Sequence, residues 1–163
     1  MLRRDLVPVA DSVLGAFLLY RFAWAYSAAN NNTKYPNLIF CALMMAIVMD
    51  RELMSPISGR MANLQAYRYS FVTNKQRAVL HRLTEAVQAI MPRLMAAVEM
   101  GEVHGIFKLD DVTASVVPLL QNESGGTYIQ DHVSKQETAA AKLGRWFALT
   151  DDETIQQLLG VSF

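Results

Sequence analysis

The stretch Leu38–Met49, Leu-Ile-Phe-Cys-Ala-Leu-Met-Met-Ala-Ile-Val-Met, contains no charged or strongly polar side chain. A helix that is apolar on every side needs protein or lipid all around it. At about 1.5 Å per residue the run reaches roughly 18 Å, short of the roughly 30 Å hydrocarbon core of a bilayer. It is therefore expected to be the central helix of a mainly α, compact domain, with residues 1–163 folding as one unit. Pro36, just before the run, reads as a first-turn proline, and Asp50, Arg51 and Glu52 as its close. Met44, Met45 and Met49 suit irregular gaps between neighbours.

Of the chain, 52% is apolar and 18% charged, which suggests that a partner covers some of its apolar surface. The formal net charge is zero, so general adhesion to nucleic acid is not a whole-molecule property. Charge is nonetheless segregated. Between Arg51 and Arg93 seven basic residues face two acids, whereas from Leu94 onward ten acids face four bases. The single cysteine, Cys41, lies in the apolar run, where it reads as a small buried hydrophobe in a reducing, cytoplasmic setting. Met1-Leu-Arg-Arg begins with positive charge, but Asp5, Pro8 and Asp11 interrupt the residues after it. Neither a signal-peptide core nor a membrane span is expected.

Before the central run, Met1–Ala10 reads as an irregular lead-in. Asp11 or Ser12 then caps a helix reaching about Tyr26, with Arg21 its one internal charge, at a rim or facing a partner. Asn30-Asn31-Asn32-Thr33 is a turn cluster. After the run, Met54–Arg60 is a loop broken by Pro56 and Gly59. A short helix is expected over Met61–Ser70, where Tyr67, Tyr69 and Phe71 are interleaved with Arg68 and read as ordinary packing at a helix end or as a base-stacking surface. Thr73-Asn-Lys-Gln76 has capping-box spacing and opens a helix with Val79, Leu80, Leu83, Val87 and Ile90 on one face. Pro92 is expected to begin or kink a second piece to Met100, with Gly101 as its cap.

Beyond Gly101 the period shortens. Gly105–Leu109, Asp110-Asp111 and Ser115–Leu119 read as a small β-hairpin, with Pro118 keeping its strand at an edge. Two helices followed by a hairpin make a partial winged-helix-like order. Asn122–Gly126 reads as a flexible loop. Ser134-Lys-Gln-Glu137 and Thr150-Asp-Asp-Glu153 have capping-box spacing before helices over Thr138–Leu149 and Glu153–Leu159, the latter ended by Gly160.

Tests for chemistry come back empty. His81, His104 and His132 fall on different elements, without ligand spacing for zinc. Gly125-Gly126 alone does not make a phosphate loop. Asp110-Asp111 fits a hairpin turn better than a cation site. No serine stands in an elbow motif, so no residue set is nominated as catalytic, cofactor-binding or metal-binding. The winged-helix-like order with Lys75, Arg77, Arg82 and Arg93 raises one alternative function, a DNA-binding regulator.

Ala141-Lys-Leu-Gly-Arg-Trp-Phe-Ala148, followed by the stretch from Thr150 to Gln-Gln-Leu-Leu-Gly-Val161, resembles the C-terminal signature of the small middle component of bacterial three-component ABC ATPase systems. The aromatic first helix from Phe17 to Tyr26 and the apolar helix Leu38–Met49 fit the same family; Arg60–Phe71 departs from its pattern. The resemblance implies a non-enzymatic adaptor, similar to the small third subunit of Lamassu-type anti-phage systems. Such a subunit would bridge an SMC/RecN-like coiled-coil ATPase and a nuclease-type effector. DNA would be reached only through the complex, and no membrane would be involved. Candidate partner anchors are Trp24, Tyr67, Arg68 and Arg145, residue types that often dominate interface energy. Gly144 shares a helix with Leu143, Trp146 and Phe147. That face is expected either to pack against Leu38–Met49 or to meet a partner.

Overall fold

The apolar run is enclosed by other helices. The computed structural model describes residues 2–57, 60–120 and 131–162, with the backbone alone for 2–10 and 131–132. In chain order the described residues form α1 (Leu2–Ala29), α2 (Leu38–Val48), α3 (Arg51–Met54), α4 (Leu64–Tyr69), α5 (Asn74–His81), α6 (Leu83–Val103), β1 (Phe107–Asp110), β2 (Ser115–Pro118), α7 (Asp131–Ala148) and α8 (Asp152–Leu159). The chain is thus mainly helical with one small antiparallel sheet, as expected. The expected loop at Asn122–Gly126 lies outside the described residues.

Every residue of α2 from Phe40 to Val48 is buried, against α1, α3, α6 and α7. Full burial of a large aliphatic side chain is worth about 1.5–3 kcal/mol, so this helix anchors the core. Its entry differs from the expectation. Asn37, not Pro36, begins it: the Asn37 side chain accepts from the Phe40 N–H at 2.9 Å. Pro36 lies one step outside, where its carbonyl accepts from the Val116 N–H at 2.9 Å. The Leu38 N–H in turn donates to the Ala114 carbonyl at 2.9 Å, tying the start of α2 to the hairpin. Asp50 opens the next helix rather than closing this one, accepting from the Glu52 and Leu53 N–H groups.

The expected irregular lead-in is helical: α1 starts at Leu2 and runs through Pro8. Asp11 is not a cap. Its carboxylate is held by Arg93, whose Nε donates to Oδ2 at 2.7 Å while Nη2 meets Oδ1. That cross-helix demand on Asp11 has no local signature. Arg21 is likewise not a free rim charge, because its Nε stands 3.0 Å from Glu137 Oε1 on α7, both side chains being nearly enclosed.

The Thr73 capping box forms as read, but the helix break falls at Arg82 instead of Pro92. Pro92 lies inside α6 on its exposed side. The bond it cannot make is the one to Gln88, which is also exposed, so water can satisfy that carbonyl. Gly101 is interior as well. A Cβ there would lie 2.1 Å from Phe107 Cζ, so the bare backbone is what lets the β1 ring pack. The left-handed turn residue is Gly105, φ 66°. The hairpin pairs Phe107 with Pro118 and Asp110 with Ser115. Asp110 serves its turn, accepting from the Val112 N–H at 2.9 Å, a bond that holds its carboxyl below the usual range. With α6 packed along α1 and α2, and the hairpin on α6 and α1, the winged-helix-like order is not confirmed.

The Ser134 capping box does not form, because α7 is already helical from Asp131. The last cap falls one residue late: Asp151 accepts from the Thr154 N–H at 2.9 Å, while Thr150 donates back to the Trp146 carbonyl. Gly160 ends α8 at φ 66°, as read.

Candidate functional site

Helix α7 is positioned by what its glycine leaves out. A Cβ on Gly144 would stand 2.5 Å from the Phe22 carbonyl oxygen and 3.1 Å from both Ala25 Cβ and Tyr26 N. Here α7 touches the α1 backbone, closer than any side chain permits. Of the two expectations for this face, internal packing holds, but the main neighbour is α1 rather than α2. Phe147 completes the seam edge-on to Phe22 at 5.8 Å and to Phe40 of α2 at 5.5 Å. At the other end, buried Gln136 donates to the Val48 carbonyl at 3.2 Å, satisfying the last turn of α2. The pairs Gln136–Val48 and Phe147–Phe40 make α2 and α7 antiparallel.

This packing decides which candidate anchors face outward. Tyr67 does not: it is 0% exposed. Its hydroxyl donates to the Leu53 carbonyl at 2.7 Å, and burial raises its pKa. Its ring lies beside Phe71 at 5.2 Å and Trp146 at 6.4 Å. As a partner anchor it is corrected to a core residue, because an aromatic with its one polar atom satisfied internally belongs inside. Arg68 on α4 is half-buried, and Arg145 is exposed.

Two surface grooves, with no lining residue in common, hold Trp24 and adjoin Arg145, while Arg68 lines neither. One is formed by Asn63, Gln65, Trp146, Leu149, Thr150 and Thr154, between the start of α4 and the turn from α7 to α8. Leu149 is 76% exposed there, and Arg145 precedes it by one turn on the same face. Buried Tyr67 supports Trp146 at the floor. The other groove is lined by Trp24, Ser27, Asn32, Tyr35, Pro118 and Leu120. Half-buried Trp24 lies under the Arg21 guanidinium, 6.0 Å from the ring centre, and the Tyr20 hydroxyl fixes Leu120 by donating to its carbonyl. Each groove thus joins an aromatic surface to exposed apolar and hydrogen-bonding groups, the makeup of an interface centre with its rim. Leu149 and Tyr35 do not stand out in the sequence. An apolar residue at the end of an amphipathic helix gives no sign that it stays uncovered.

The four candidate nucleic-acid residues are not equivalent. Arg93 is spent on Asp11, and that bond raises its pKa. Arg82 pairs with Glu52 at 3.2 Å. Lys75 and Arg77 stand exposed on α5. Among the described residues no group of His, Cys, Asp and Glu is arranged to hold a metal ion. Cys41 is fully buried, and burial raises its thiol pKa. Among the described residues no helix is long and apolar enough to cross a membrane.

Residues 11–163 match the family described as ABC-three component (ABC-3C) system Middle Component 3. No curated protein and no solved structure matches the chain.

Proposed function

The chain belongs to the Middle Component 3 family of ABC-three component systems, and from that premise we propose that it is the non-enzymatic adaptor of such a system. Its partners in this reading are an SMC/RecN-like coiled-coil ATPase and an effector of nuclease type, joined in cytoplasmic anti-phage defence. The observation that carries the reading is the pair of separate grooves, one holding Trp24 and the other flanked by Arg145. Both are mounted on α1 and α7, helices locked together at Gly144. A bridge needs two faces held in fixed relation, and a backbone-to-backbone seam supplies rigidity that surface contacts alone do not.

The test is reconstitution with the ATPase and effector encoded beside it. The ternary complex should form only when this chain is present, and the chain alone should hydrolyse neither ATP nor DNA. Trp24→Ala and Arg145→Glu should each release one partner while retaining the other. Formation of the ATPase–effector complex without this chain, or a nuclease activity of the isolated chain abolished by one point substitution, overturns the proposal. The winged-helix regulator is not favoured, since two of its four cations are engaged in ion pairs and its helix order is not confirmed.

A further inference from the structure

The corner from α3 to α5 is chemically unlike the rest of the surface. Between Arg51 and Arg82 stand six basic residues and one acid, Glu52, and that acid is bound to Arg82. Arg51, Arg60, Arg68, Lys75 and Arg77 have no carboxylate partner among the described residues. On α5 every residue from Asn74 to Ala78 is exposed, and only Val79 and Leu80 are buried. Tyr69, at the end of α4, is 74% exposed. The turn between them is kept tight by Gln76, whose side-chain oxygen accepts from the Val72 and Thr73 N–H groups at 3.0 Å each. Tyr69 and Lys75 are six residues apart, hence within roughly 20 Å of each other.

We propose that this corner, through Arg68, Tyr69, Lys75 and Arg77, binds the sugar–phosphate backbone of nucleic acid directly. Two observations favour nucleic acid over an acidic protein. A protein interface needs an apolar centre, whereas α5 presents Asn74, Lys75, Gln76 and Arg77, all exposed, polar and free of negative charge, with the exposed Val72 in the turn before them. Amides and cations together are the groups that contact phosphate and sugar without reading sequence, and the exposed Tyr69 ring offers a base-stacking surface where a strand is single. The site differs from the winged-helix alternative: Arg82 and Arg93 take no part, and no helix is asked to enter a groove. Nor does it depend on the bridging role, since it concerns the chain alone.

The experiment measures binding of the full chain to a mixed-sequence DNA duplex and to a single strand at two salt concentrations. Three neutralised phosphates predict a slope near −2.7 in log affinity against log salt, an affinity loss of about 40-fold between about 50 and about 200 mM salt. The double substitution Lys75→Gln/Arg77→Gln should cut the slope to near −0.9 and that loss to about 3.5-fold. Tyr69→Ala should weaken the single strand several-fold and leave the duplex nearly unchanged. Lys108→Gln, outside the corner on β1, should bind DNA as wild type does. Absence of binding at low salt, or an unchanged slope in the folded double variant, overturns the inference. So does polyglutamate binding as tightly as DNA, which would make the corner a site for acidic protein.

Discussion

The seam between α1 and α7 and the corner from α4 to α5 use opposite means of holding their shape. At the seam, Gly144 lets two backbones meet, and Phe22, Phe147, Phe40 and Tyr26 pass ring contacts from α1 through α7 to α2. At the corner, two short helices of six and eight residues are started by the side chains of Asn63 and Thr73. They are tethered through few buried residues: Leu64, Tyr67, Phe71, Val79 and Leu80. The stretch Leu143–Phe147 falls on the first region and the unpaired Arg68, Lys75 and Arg77 on the second. That stretch answers a packing requirement. Leu143, Gly144, Trp146 and Phe147 are all buried, and among them Arg145 alone faces out.

Substitutions can break or sharpen that contrast, and the largest effect belongs to α7, where Trp146 leans on Tyr67 of the corner. Trp146→Ala should cost about 3–5 kcal/mol of stability, read by chemical denaturation, because its ring roofs Tyr67 and floors a groove. If the loss is under about 1 kcal/mol, the groove rather than the core owns Trp146. Arg145→Glu should leave the melting temperature unchanged while weakening the proposed complex with an ATPase by about 2 kcal/mol, the scale of an interface hot spot. Gly144→Ala comes next. Alanine recovers about 1 kcal/mol of helix propensity, but its methyl group must push the Phe22 carbonyl away, an overpacking cost of about 1–3 kcal/mol. A net loss near 1 kcal/mol is expected in thermal melts, and a stabilised variant would mean that the seam is looser than described.

At the corner the expected effects are local. Thr73→Ala removes half of a reciprocal cap and should cost about 1 kcal/mol, appearing as faster proteolysis or amide exchange within α5 and not in α7. The smallest effect is electrostatic. The Thr154 hydroxyl and N–H hold the Asp151 carboxyl below the usual range. A lowered folded pKa stabilises α8 above the ordinary carboxylate range and ceases to do so as pH falls through the folded value. Asp151→Asn, which keeps a capping oxygen, should flatten the acid limb of stability below about pH 4. An acid limb identical to wild type would assign it to other carboxylates.

How much of this is legible in the sequence divides along the same line. The enclosed α2, the Thr73 box, the hairpin and Gly160 are readable because period, cap and left-handed glycine are local signals. Asp11, Gly101 and Ser134 mislead for one reason: each is a good local terminator claimed by something distant or by a longer helix. Asp11 pairs across α1 to α6, and Gly101 makes room for Phe107. Pro92 misleads because its cost depends on which side of α6 meets water. Among the anchors, Arg145 can be placed as outward-facing from its position between buried neighbours. Tyr67 cannot, since only the Leu53 carbonyl explains how its hydroxyl could be buried.

The hydrogen bonds that lace Pro36 and Leu38 to Ala114 and Val116 join segments nearly eighty residues apart in the chain. Such contacts close a long loop and cannot form early, since the entropy of closing it must be met first. The start of α2 should therefore be completed late in folding, after the helices around it have collapsed. By the same reasoning, the Leu38 and Val116 amide protons are protected by a single event. They should exchange with solvent at closely similar rates, set by opening of the whole domain rather than by fraying of the two-stranded sheet.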